Sequence, residues 1–348
     1  MDKHGRKTII VTAGPTNERM DAVMKITNMS TGALGARIVE AFLGRQDGYS
    51  CHAEGIGKIY YIAQKLSRRP IVPDGQKDKI HDIQVESTDD LLNTLRVLLS
   101  NPAEHIDAVV HSAAVGDYKG RYMARAEDVV QEIMDKQEAA GRRLSRQELT
   151  DILTFPDCVM NDATKLSSYE PNLFCMLELT PKVIREIKKI SPDTLLIGFK
   201  LLEGVPEAEL LDAAHGIQEK SGAEFVIAND LANIGKGKHS AMMVGPNGNV
   251  VKVFENKNEI AEEISFAVMQ GTARYEYHLP TDPDKIQFEN LKACLFSAGS
   301  EAISDFLGYD YPDGEDKATT DNRLDIAWDQ MPPEEYQKYL EKYGLAGE

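Results

Sequence analysis

Small and hydroxyl-bearing residues are concentrated in MKITNMSTGALG, residues 24–35. Ser30, Thr31 and Gly32 directly precede a helical pattern, where backbone N–H groups and short hydroxyls can bind phosphate. Gly14 allows the chain to leave the preceding strand in a tight turn. The alternative, that Ser30 and Thr31 only cap the helix, stays open. The segment matches neither the GxGxxG fingerprint with its later acidic residue nor a P-loop, so alone it identifies no nucleotide class.

Two further polar loops follow predicted strands. In SAAVGDYKG, residues 112–120, small residues allow a base or ribose to approach the backbone, and Asp117 can hold a ribose hydroxyl or a metal ion. Asn229 and Asp230 end another strand and are candidate ligand contacts. Each of these side chains can instead stabilise a turn, and both alternatives stay open.

Strand and helix patterns alternate up to about residue 270. This order predicts an α/β fold, a Rossmann-like doubly wound sheet that is mostly parallel, with ligands beyond the carboxyl ends of its strands. The predicted strands are KTIIVTAG (7–14), HIDAVVHSAAVGDY with its loop (105–118), LFCMLELT (173–180), TLLIGFKLL (194–202), AEFVIAND (223–230) and the hairpin AMMVGPNGNVVKVF (241–254), with its turn at 246–248. The predicted helices are GALGARIVEAFLGRQ (32–46), DLLNTLRVLLS (90–100), PKVIREIKKI (181–190), EAELLDAAHGIQEKSG (207–222) and NKNEIAEEISFAVMQ (256–270).

The chain divides into two predicted domains. Residues 1–270 form the Rossmann-like domain, in which 121–172 are a helical insertion and lid that contains the charged stretch AEDVVQEIMDKQEAAGRRLSRQELTDIL. Residues 271–348 form an appended acidic C-terminal segment with only short helical patterns. This segment either packs or contacts a partner, or it is a solvated acidic tail.

Composition limits the classes of partner. The 348 residues carry 39 Lys and Arg against 56 Asp and Glu, and the formal charge of -17 argues against nucleic acid or an anionic membrane as a general partner. The sequence has no apolar stretch long enough to span a membrane and no signal peptide pattern, so we expect a cytoplasmic protein. The four cysteines lack CxxC spacing, which favours neither a disulfide framework nor a zinc site; they are Cys51, Cys158, Cys175 and Cys294.

Six motifs occur in the order and approximate spacing of one known family. They are TAGPTNERMDAVMKITNMSTGALG, HSAAVGDY, KLSS, LELTPKVI, LIGFKLLEG and VIANDLANI, and they span roughly residues 7–268. On these motifs the chain resembles phosphopantothenate-cysteine ligase, also called phosphopantothenoylcysteine synthetase, in its stand-alone bacterial form. The resemblance implies a Rossmann-like fold and a role in coenzyme A biosynthesis.

The chemistry that this resemblance implies is a two-step ligation. The carboxylate of 4'-phosphopantothenate attacks the α-phosphate of a nucleotide, giving an acyl-nucleotide and pyrophosphate, and the amine of L-cysteine then displaces the nucleoside monophosphate. The nucleotide is CTP in typical bacterial members, with ATP left open. Mg2+ is the expected divalent cation, because it can bridge the phosphates. Family members act as homodimers, so a homodimer is expected here.

The resemblance also assigns roles to individual residues. Asn28 and Lys165 match catalytic positions: the Asn28 amide donates to an oxygen that gains charge, and Lys165 belongs to a mobile lid motif. Taken alone, Lys165 is an ordinary surface lysine and Phe199 is plain core. The predicted nucleotide-binding residues are Gly14, Ser30, Thr31, Gly32, Ala113, Ala114, Asp117, Phe199 and Lys220, and the predicted substrate contacts are Lys25, Asn229 and Asp230.

The chain departs from the family pattern at an anion-binding position. Many members read DPVR or DSVR where this chain reads DAVMK, which places Met24 at the arginine position. The KLSS motif also lacks the family's further lysines, so basic residues near the nucleotide are few. The cations that can compensate are Lys25, Lys119, Lys182 and Lys200.

Two other functions stay open. An NAD(P)-dependent Rossmann oxidoreductase shares the predicted architecture, although the missing glycine fingerprint argues against it. A non-catalytic nucleotide-binding homologue accounts for the depletion of basic residues and for the extra C-terminal segment.

Overall fold

The computed structural model describes fourteen strands and ten α-helices within residues 5–45, 52–160, 169, 172–235, 238–246, 248–272, 288, 291–292, 294–296, 298–309, 311 and 317–343. The strands are β1 (Lys7–Ala13), β2 (Asn17–Arg19), β3 (Lys25–Thr27), β4 (Ile56–Ala63), β5 (Ile80–Gln84), β6 (Ala108–His111), β7 (Tyr118–Arg125), β8 (Leu173–Leu179), β9 (Leu195–Leu202), β10 (Phe225–Asp230), β11 (Ile234–Gly235), β12 (Lys238–His239), β13 (Ala241–Val244) and β14 (Val250–Phe254). The helices are α1 (Ala33–Leu43), α2 (Thr88–Leu99), α3 (Ala126–Ala140), α4 (Arg146–Thr154), α5 (Val183–Ile190), α6 (Glu207–Ser221), α7 (Lys257–Gln270), α8 (Ser300–Leu307), α9 (Lys317–Gln330) and α10 (Pro333–Lys342).

Eight of these strands form one central sheet in the spatial order β14-β13-β10-β9-β6-β1-β4-β5. The strands from β10 to β5 run parallel, and β13 and β14 extend the sheet as an antiparallel hairpin. From β1 the chain builds outward through β4 to β5, and then returns to β6 and builds through β9 to β10 on the other side. The strand order therefore reverses between β1 and β6, which is where ligands bind in open sheets of this kind.

Helices cover both faces of the sheet. One buried cluster joins the strands to α1 and α7, and a second joins them to α2, α5 and α6. Ile9 and Val11 lie in the first cluster and Ile10 lies in the second, as the alternation of side chains along a strand requires. The predicted α/β fold, Rossmann-like, doubly wound and mostly parallel, is confirmed.

Two strands of the sheet are missing from the sequence prediction. β5 reads IHDIQ with only partly buried isoleucines, so it lacks the continuous apolar run that predicts a buried strand. β4 does contain such a run, IYYIA at 59–63, but the run was not recognised as a strand. β4 pairs with β1 on one side and β5 on the other, and this pairing makes β5 a strand despite its weak local pattern.

Three short antiparallel pairs lie outside the central sheet in the described part of the chain, namely β2–β3, β7–β8 and β11–β12. β2 pairs with β3 inside the predicted phosphate loop, which the sequence analysis treats as irregular. The sequence also predicts β8 as a strand of the parallel sheet, and this is wrong, because the structure pairs β8 with β7 in a separate two-stranded sheet. Tyr122, Ala124 and Val129 bury one face of this pair against α3, so its apolar residues have a core of their own.

The predicted insertion contains α3 and α4, so its charged stretch is helical as expected. Ser145 begins α4 with a reciprocal capping box to Glu148, which explains why a helix restarts there. Residues 121–125 belong to β7, however, and are not helical. Residues 161–168 lie outside the described residues, and with them Lys165 and the KLSS motif. The assignment of 121–172 as a lid stays a prediction.

Residues beyond 270 build a hydrophobic cluster of their own. Phe288 stacks on Trp328 with ring centroids 4.5 Å apart, at the centre of apolar residues from α8, α9 and α10. α9 is a helix that the sequence analysis misses, because its residues KATTDNRLDIAWDQ have no clear apolar face. The Cys294 thiol donates a hydrogen bond to the Glu207 carboxylate at the start of α6. The described part of this segment therefore packs and is not a solvated tail, while the domain boundary at 270 stays a prediction.

Three cysteines are free thiols, namely Cys158, Cys175 and Cys294, and Cys51 lies outside the described residues. None of the helices in the described part of the chain is both long enough and apolar enough to cross a membrane.

His111 ends β6 at the switch point and is buried. Its Nδ1 shares a hydrogen bond of 3.0 Å with the Thr12 hydroxyl of β1, and that hydroxyl accepts the Ala113 N–H at 3.2 Å. Burial lowers the pKa of His111 from 6.5 to about 4, because the charged imidazolium is poorly solvated there. The neutral ring therefore helps to hold the two central strands together.

Because the folded pKa lies below the ordinary value, the unfolded chain binds the proton first as the pH falls. The stability from neutral His111 is complete above about pH 6.5 and is lost progressively towards pH 4. We expect the free energy of unfolding to fall by about 2 kcal/mol more in the wild type than in His111→Asn between about pH 7.5 and about pH 5, measured by urea unfolding. Replacing the exposed His81 by Gln is the matched control and is expected to keep the wild-type pH dependence. Equal pH dependence in the wild type and His111→Asn would contradict this expectation.

Candidate active site

Three chain segments meet at the switch point between β1 and β6. The loop after β1 and the loop after β6 are joined through the main chain: the Ala114 N–H donates to the Gly14 carbonyl at 2.8 Å, and the Thr16 N–H donates to the Ala114 carbonyl at 3.3 Å. The third segment is the N-terminus of α1, which begins at Gly32. The structure thus brings together Gly14, Ala114 and Gly32, three of the residues predicted to bind a nucleotide.

The N-terminus of α1 has no side-chain cap. Gly32 is the cap residue, with a φ of 72°, and no described side chain accepts a hydrogen bond from the N–H groups of Ala33, Leu34 or Gly35. Ser30 Oγ lies 3.5 Å from the Gly32 nitrogen, at the outer limit of a hydrogen bond. The alternative that Ser30 caps the helix is therefore not what the structure shows. The free N–H groups and the helix dipole create a place where an anion is stabilised.

Two glycines allow α1 to approach the sheet closely. A Cβ on Gly35 would lie 2.4 Å from the Cβ of Ala13 and 2.9 Å from Ser112 Oγ. A Cβ on Gly32 would lie 3.1 Å from the Gly14 nitrogen. The sequence analysis does not single out Gly35. The available signal is its distance of three residues from Gly32, since the dinucleotide fingerprint uses that spacing for helix-to-strand packing.

Asn28 links the segment before α1 to the loop after β6. Its Nδ2 donates to the carbonyls of Ala114 and Val115, each at 3.1 Å. Both amide hydrogens are thereby engaged within the protein, and Asn28 acts as a latch between two walls of the crevice. Its predicted catalytic role as a donor to the reacting oxygen stays a prediction, and it needs one of these bonds to be exchanged for a bond to substrate.

Asp117 forms an ion pair with Lys182, which precedes α5. The pair is supported from the main chain, because the Thr180 N–H donates to the Asp117 carbonyl at 3.0 Å and the Thr180 hydroxyl donates to the Gly116 carbonyl. A nucleotide at this loop therefore meets a neutralised pair and not an isolated carboxylate. The Lys182 side chain is 44% exposed and the Asp117 side chain is 67% exposed. The ammonium can therefore turn towards a ligand phosphate.

The other cations proposed to compensate for Met24 are differently placed. Lys25 lies 3.6 Å from Glu86, and Lys119 lies 3.1 Å from Asp89. Lys200 has no ion-pair partner among the described residues, and it lies on β9, on the side of the strand opposite Phe199. Two of these cations are thus already paired with a carboxylate.

Two predicted residues, Phe199 and Lys220, do not join this loop cluster in the described structure. Phe199 is half-buried on β9, one strand beyond β6, where it packs against the cluster that includes α1. Lys220 lies in the last turn of α6, which leads into the amino end of β10 and so reaches the opposite edge of the sheet. Lys165 falls outside the described residues. Phe199 remains a candidate for contact with a base, whereas the position of Lys220 argues against phosphate contact within one chain.

Asn229 and Asp230 end β10, two strands away from the switch point. Asp230 Oδ1 accepts the Gly204 N–H at 2.8 Å and the Ala232 N–H at 2.9 Å, which is the turn-stabilising alternative. Both residues also line a cavity of about 200 Å3, together with Glu207. Their role in binding substrate stays a prediction.

A metal ion finds no protein cage in the described part of the chain, where no three His, Cys, Asp or Glu side chains lie close enough to share one. Mg2+ in phosphoryl transfer commonly keeps several waters and binds substrate phosphates with one or two carboxylates. The described residues thus show no such cage, and Mg2+ stays a prediction.

The loop after β4 is a part of the site that the sequence analysis misses. The Arg68 N–H donates to the Thr31 carbonyl at 2.9 Å, and Ser67 packs against Gly14 and Gly32. The signal is the polar and basic stretch QKLSRRP, residues 64–70, directly after an apolar strand. It cannot be used from sequence alone because β4 itself is not predicted.

Known proteins share this architecture and sequence pattern. The family model described as "DNA/pantothenate metabolism flavoprotein C-terminal domain" matches residues 4–49. The coenzyme A biosynthesis bifunctional protein CoaBC of Thermococcus kodakarensis is 28% identical over 258 residues, which are 74% of this chain and 50% of that protein. The protein of the same name from Methanocaldococcus jannaschii is 26% identical over 268 residues, 76% of this chain and 50% of that protein.

A solved structure agrees with these matches. The DNA/pantothenate metabolism flavoprotein from Streptococcus pneumoniae superposes with a TM-score of 0.58 and 28% identity, covering 76% of this chain and 99% of that chain. The family resemblance is confirmed. The chain spans about half the length of the curated relatives it matches, and phosphopantothenate-cysteine ligase is the family that its motifs resemble.

The latch at Asn28 predicts a local effect of mutation. Asn28→Asp replaces two N–H donors by carboxylate oxygens that face two carbonyls, so the loop after β6 should detach. We expect the amides of residues 112–117 to exchange hydrogen about tenfold faster, with little change in global unfolding, because one hydrogen-bonded contact contributes on the order of 1 kcal/mol. Asn93→Asp, on the exposed face of α2, is the matched control. Hydrogen exchange read by mass spectrometry tests this, and unchanged exchange at 112–117 would rule out the latch.

Proposed function

We propose that this protein catalyses the nucleotide-dependent ligation of 4'-phosphopantothenate to L-cysteine in coenzyme A biosynthesis. One observation carries the proposal: the uncapped N-terminus of α1 faces the loop after β6 at the switch point, with Gly14 and Gly32 at positive φ. This arrangement suits the phosphates of a nucleotide. The curated relatives are named for coenzyme A biosynthesis, which supports the pathway.

In the proposed reaction the substrate carboxylate oxygen attacks the α-phosphorus of the nucleotide and pyrophosphate leaves. The cysteine nitrogen then attacks the acyl carbon, forming the amide bond as the bond to the nucleoside monophosphate oxygen breaks and the amine loses a proton. A carboxylate must approach a polyanion in the first step, so the work of the protein is to position the reactants and neutralise charge. No protein nucleophile takes part in either step.

Each wall of the crevice has a proposed part in this chemistry. The N–H groups at the start of α1, with Ser30 and Thr31 before them, bind phosphate oxygens. Asn28 orients the loop after β6 by its two hydrogen bonds to that loop. The Lys182 ammonium beside Asp117 can turn to a phosphate while the carboxylate binds a ribose hydroxyl.

The identity of the nucleotide is proposed on the family resemblance. We propose CTP in preference to ATP, accompanied by Mg2+ as part of the nucleotide substrate. Bound Mg2+ would neutralise charge on the phosphates and so ease the approach of the carboxylate. Ala113 and Ala114, whose side chains are small, leave the loop backbone accessible to the ribose or base.

A pyrophosphate-release assay with Mg2+, L-cysteine, 4'-phosphopantothenate and either CTP or ATP tests the activity. We expect release that depends on phosphopantothenate and is faster with CTP. Gly32→Ala places a Cβ 3.1 Å from the Gly14 nitrogen and should lower kcat/KM by about a hundredfold or more, because the phosphate cradle is distorted.

Gly222→Ala is the matched control for that variant. Gly222 has the same φ of 72° at the end of α6, on the other edge of the sheet, so the backbone strain is comparable while the site is untouched. We expect this variant to keep wild-type kcat/KM. Absence of phosphopantothenate-dependent pyrophosphate with both nucleotides would refute the proposed function, and equal losses in the two glycine variants would refute the proposed place of the site.

A homodimer is a further part of the proposal. The face of the β7–β8 pair that α3 leaves uncovered exposes Leu173, Leu177 and Leu179, and Tyr118 lies opposite Leu179 across the pair. Such a contiguous apolar stripe is costly in water, and a second copy can cover it with the same stripe about a two-fold axis.

Light scattering after gel filtration tests the dimer. Leu179 is 65% exposed, and Leu179→Asp places a charge within the proposed contact, so we expect the wild type to elute as a dimer and this variant as a monomer. Val97 on α2 is 72% exposed, and Val97→Asp adds the same charge elsewhere and should leave the dimer intact. A monomeric wild type, or a dimeric Leu179→Asp, would contradict this contact.

A further inference from the structure

The loop after β4, residues 64–70, is held rigidly against the start of α1. The Arg68 N–H donates to the Thr31 carbonyl at 2.9 Å, and the Tyr61 hydroxyl donates to the Arg68 carbonyl at 2.6 Å. Both polar groups of the Arg68 main chain are therefore bonded. These main-chain bonds hold Arg68 next to the uncapped N-terminus of α1, independently of its side chain.

The two adjacent arginines of this loop differ in their bonding. Arg69 donates from Nη1 to the carbonyls of Gln64 and Ser67, at 3.0 Å and 2.9 Å, and from Nε to Asp82 at 2.8 Å. Arg69 thus stabilises the loop by bonding to main-chain carbonyls within it. The Arg68 side chain is exposed, and it forms no ion pair or hydrogen bond with the described residues. The Arg69 guanidinium therefore stabilises the loop, whereas the Arg68 guanidinium is available to bind a ligand.

Ser67 provides a second, independent observation. Its side chain is 7% exposed, and its hydroxyl is buried without a hydrogen-bond partner among the described residues. A Cβ built on Gly14 would lie 1.8 Å from Ser67 Oγ, and one built on Gly32 would lie 3.1 Å from Ser67 Cβ. The hydroxyl therefore lies against Gly14, in the turn after β1 that Gly32 at the start of α1 approaches closely. A buried hydroxyl without a partner is unfavourable and calls for an explanation in a native protein.

We propose that Arg68 and Ser67 complete, with the N-terminus of α1, a binding site for one phosphate group of a substrate. Arg68 supplies the positive charge that this chain lacks at Met24, and Ser67 supplies a hydroxyl donor once the phosphate has closed on the turn. This inference rests on the proposed function. The distribution of charge supports the proposed site. Lys25, Lys119 and Lys182 already face carboxylates, whereas Arg68 does not.

A phosphate group can come from two substrates at this site. It is either part of the nucleotide triphosphate or the monoester of 4'-phosphopantothenate, and a guanidinium recognises both through the same paired N–H donors. Calorimetric titration with Mg-CTP, with inorganic tripolyphosphate and with 4'-phosphopantothenate separates the sources. Weakened binding of the first two probes assigns the nucleotide, and weakened binding of the third alone assigns the monoester.

Arg68→Ala removes the guanidinium and leaves both main-chain hydrogen bonds in place, so the fold should be retained with an unchanged Tm. We expect about tenfold or more weaker binding of the phosphate probe, partial recovery in Arg68→Lys, and a smaller loss in Ser67→Ala. Arg146→Ala, at the exposed start of α4, removes the same charge far from the loop and is expected to bind as the wild type does.

The outcomes distinguish this inference from the proposed function. If the wild type makes phosphopantothenoylcysteine and Arg68→Ala binds all three probes as Arg146→Ala does, the phosphate site at Arg68 is refuted and the function stands. If the wild type forms no product and binds none of the probes, both are refuted. A rise in KM with nearly constant kcat in Arg68→Ala supports a binding role, which a purely structural arginine would not produce.

Discussion

The direct packing of α1 on β1 and β6 is the contact on which the site depends. Gly35 leaves no room for a side chain between the helix and Ala13, and a Cβ on Gly32 would lie 3.1 Å from the Gly14 nitrogen. Because the helix is held at this distance, its first N–H groups reach the crevice between the loops after β1 and β6. The same contact places Thr31 within hydrogen-bond distance of the loop after β4. Three loops that are far apart in sequence therefore share one small volume.

Electrostatics explains why this geometry matters in a chain with a formal charge of -17. A polyanionic substrate approaches an acidic molecule only where local groups offset the long-range repulsion. Several lysines near the crevice are already paired with carboxylates, so fixed N–H groups at the start of α1 carry much of the task in the account proposed here. Such dipoles are held in place before the ligand arrives and need no reorganisation. The Arg68 guanidinium, in the proposal made above, would add positive charge beside the start of α1.

Local pattern was sufficient for the elements that carry their own signal. β1, β6, β9 and β10 are apolar runs that end in small or polar residues and alternate with helical patterns, so the fold and the juxtaposition of Gly14, Ala114 and Gly32 could be predicted. β5 could not be predicted, since pairing within the sheet defines it. The apolar run of β4 was not recognised as a strand, so the loop after it, which contains Ser67 and Arg68, was not assigned to the site. The hydrogen-bond and ion-pair partners of polar side chains could not be predicted either. Asn28 and Asp117, for example, bond to residues that are far away in the sequence.

Lys220 shows how topology bears on a motif match. The resemblance assigns it to the nucleotide site, but α6 runs from the carboxyl edge of the sheet to the amino edge, so within one chain a residue in its last turn lies away from the switch point, and its contact with the nucleotide stays a prediction. The direction of α6 across the sheet follows from the predicted alternation of strands and helices. A match of motifs alone does not use this direction.

A crystal structure with Mg-CTP tests the central claim most directly, because it locates the nucleotide relative to the start of α1. The account predicts that phosphate oxygens lie within hydrogen-bond distance of the N–H groups of residues 32–35, with the ribose against the loop that contains Asp117. A nucleotide bound at the cavity below β10, beside Asn229 and Glu207, or at the opposite edge of the sheet near Lys220, would contradict it.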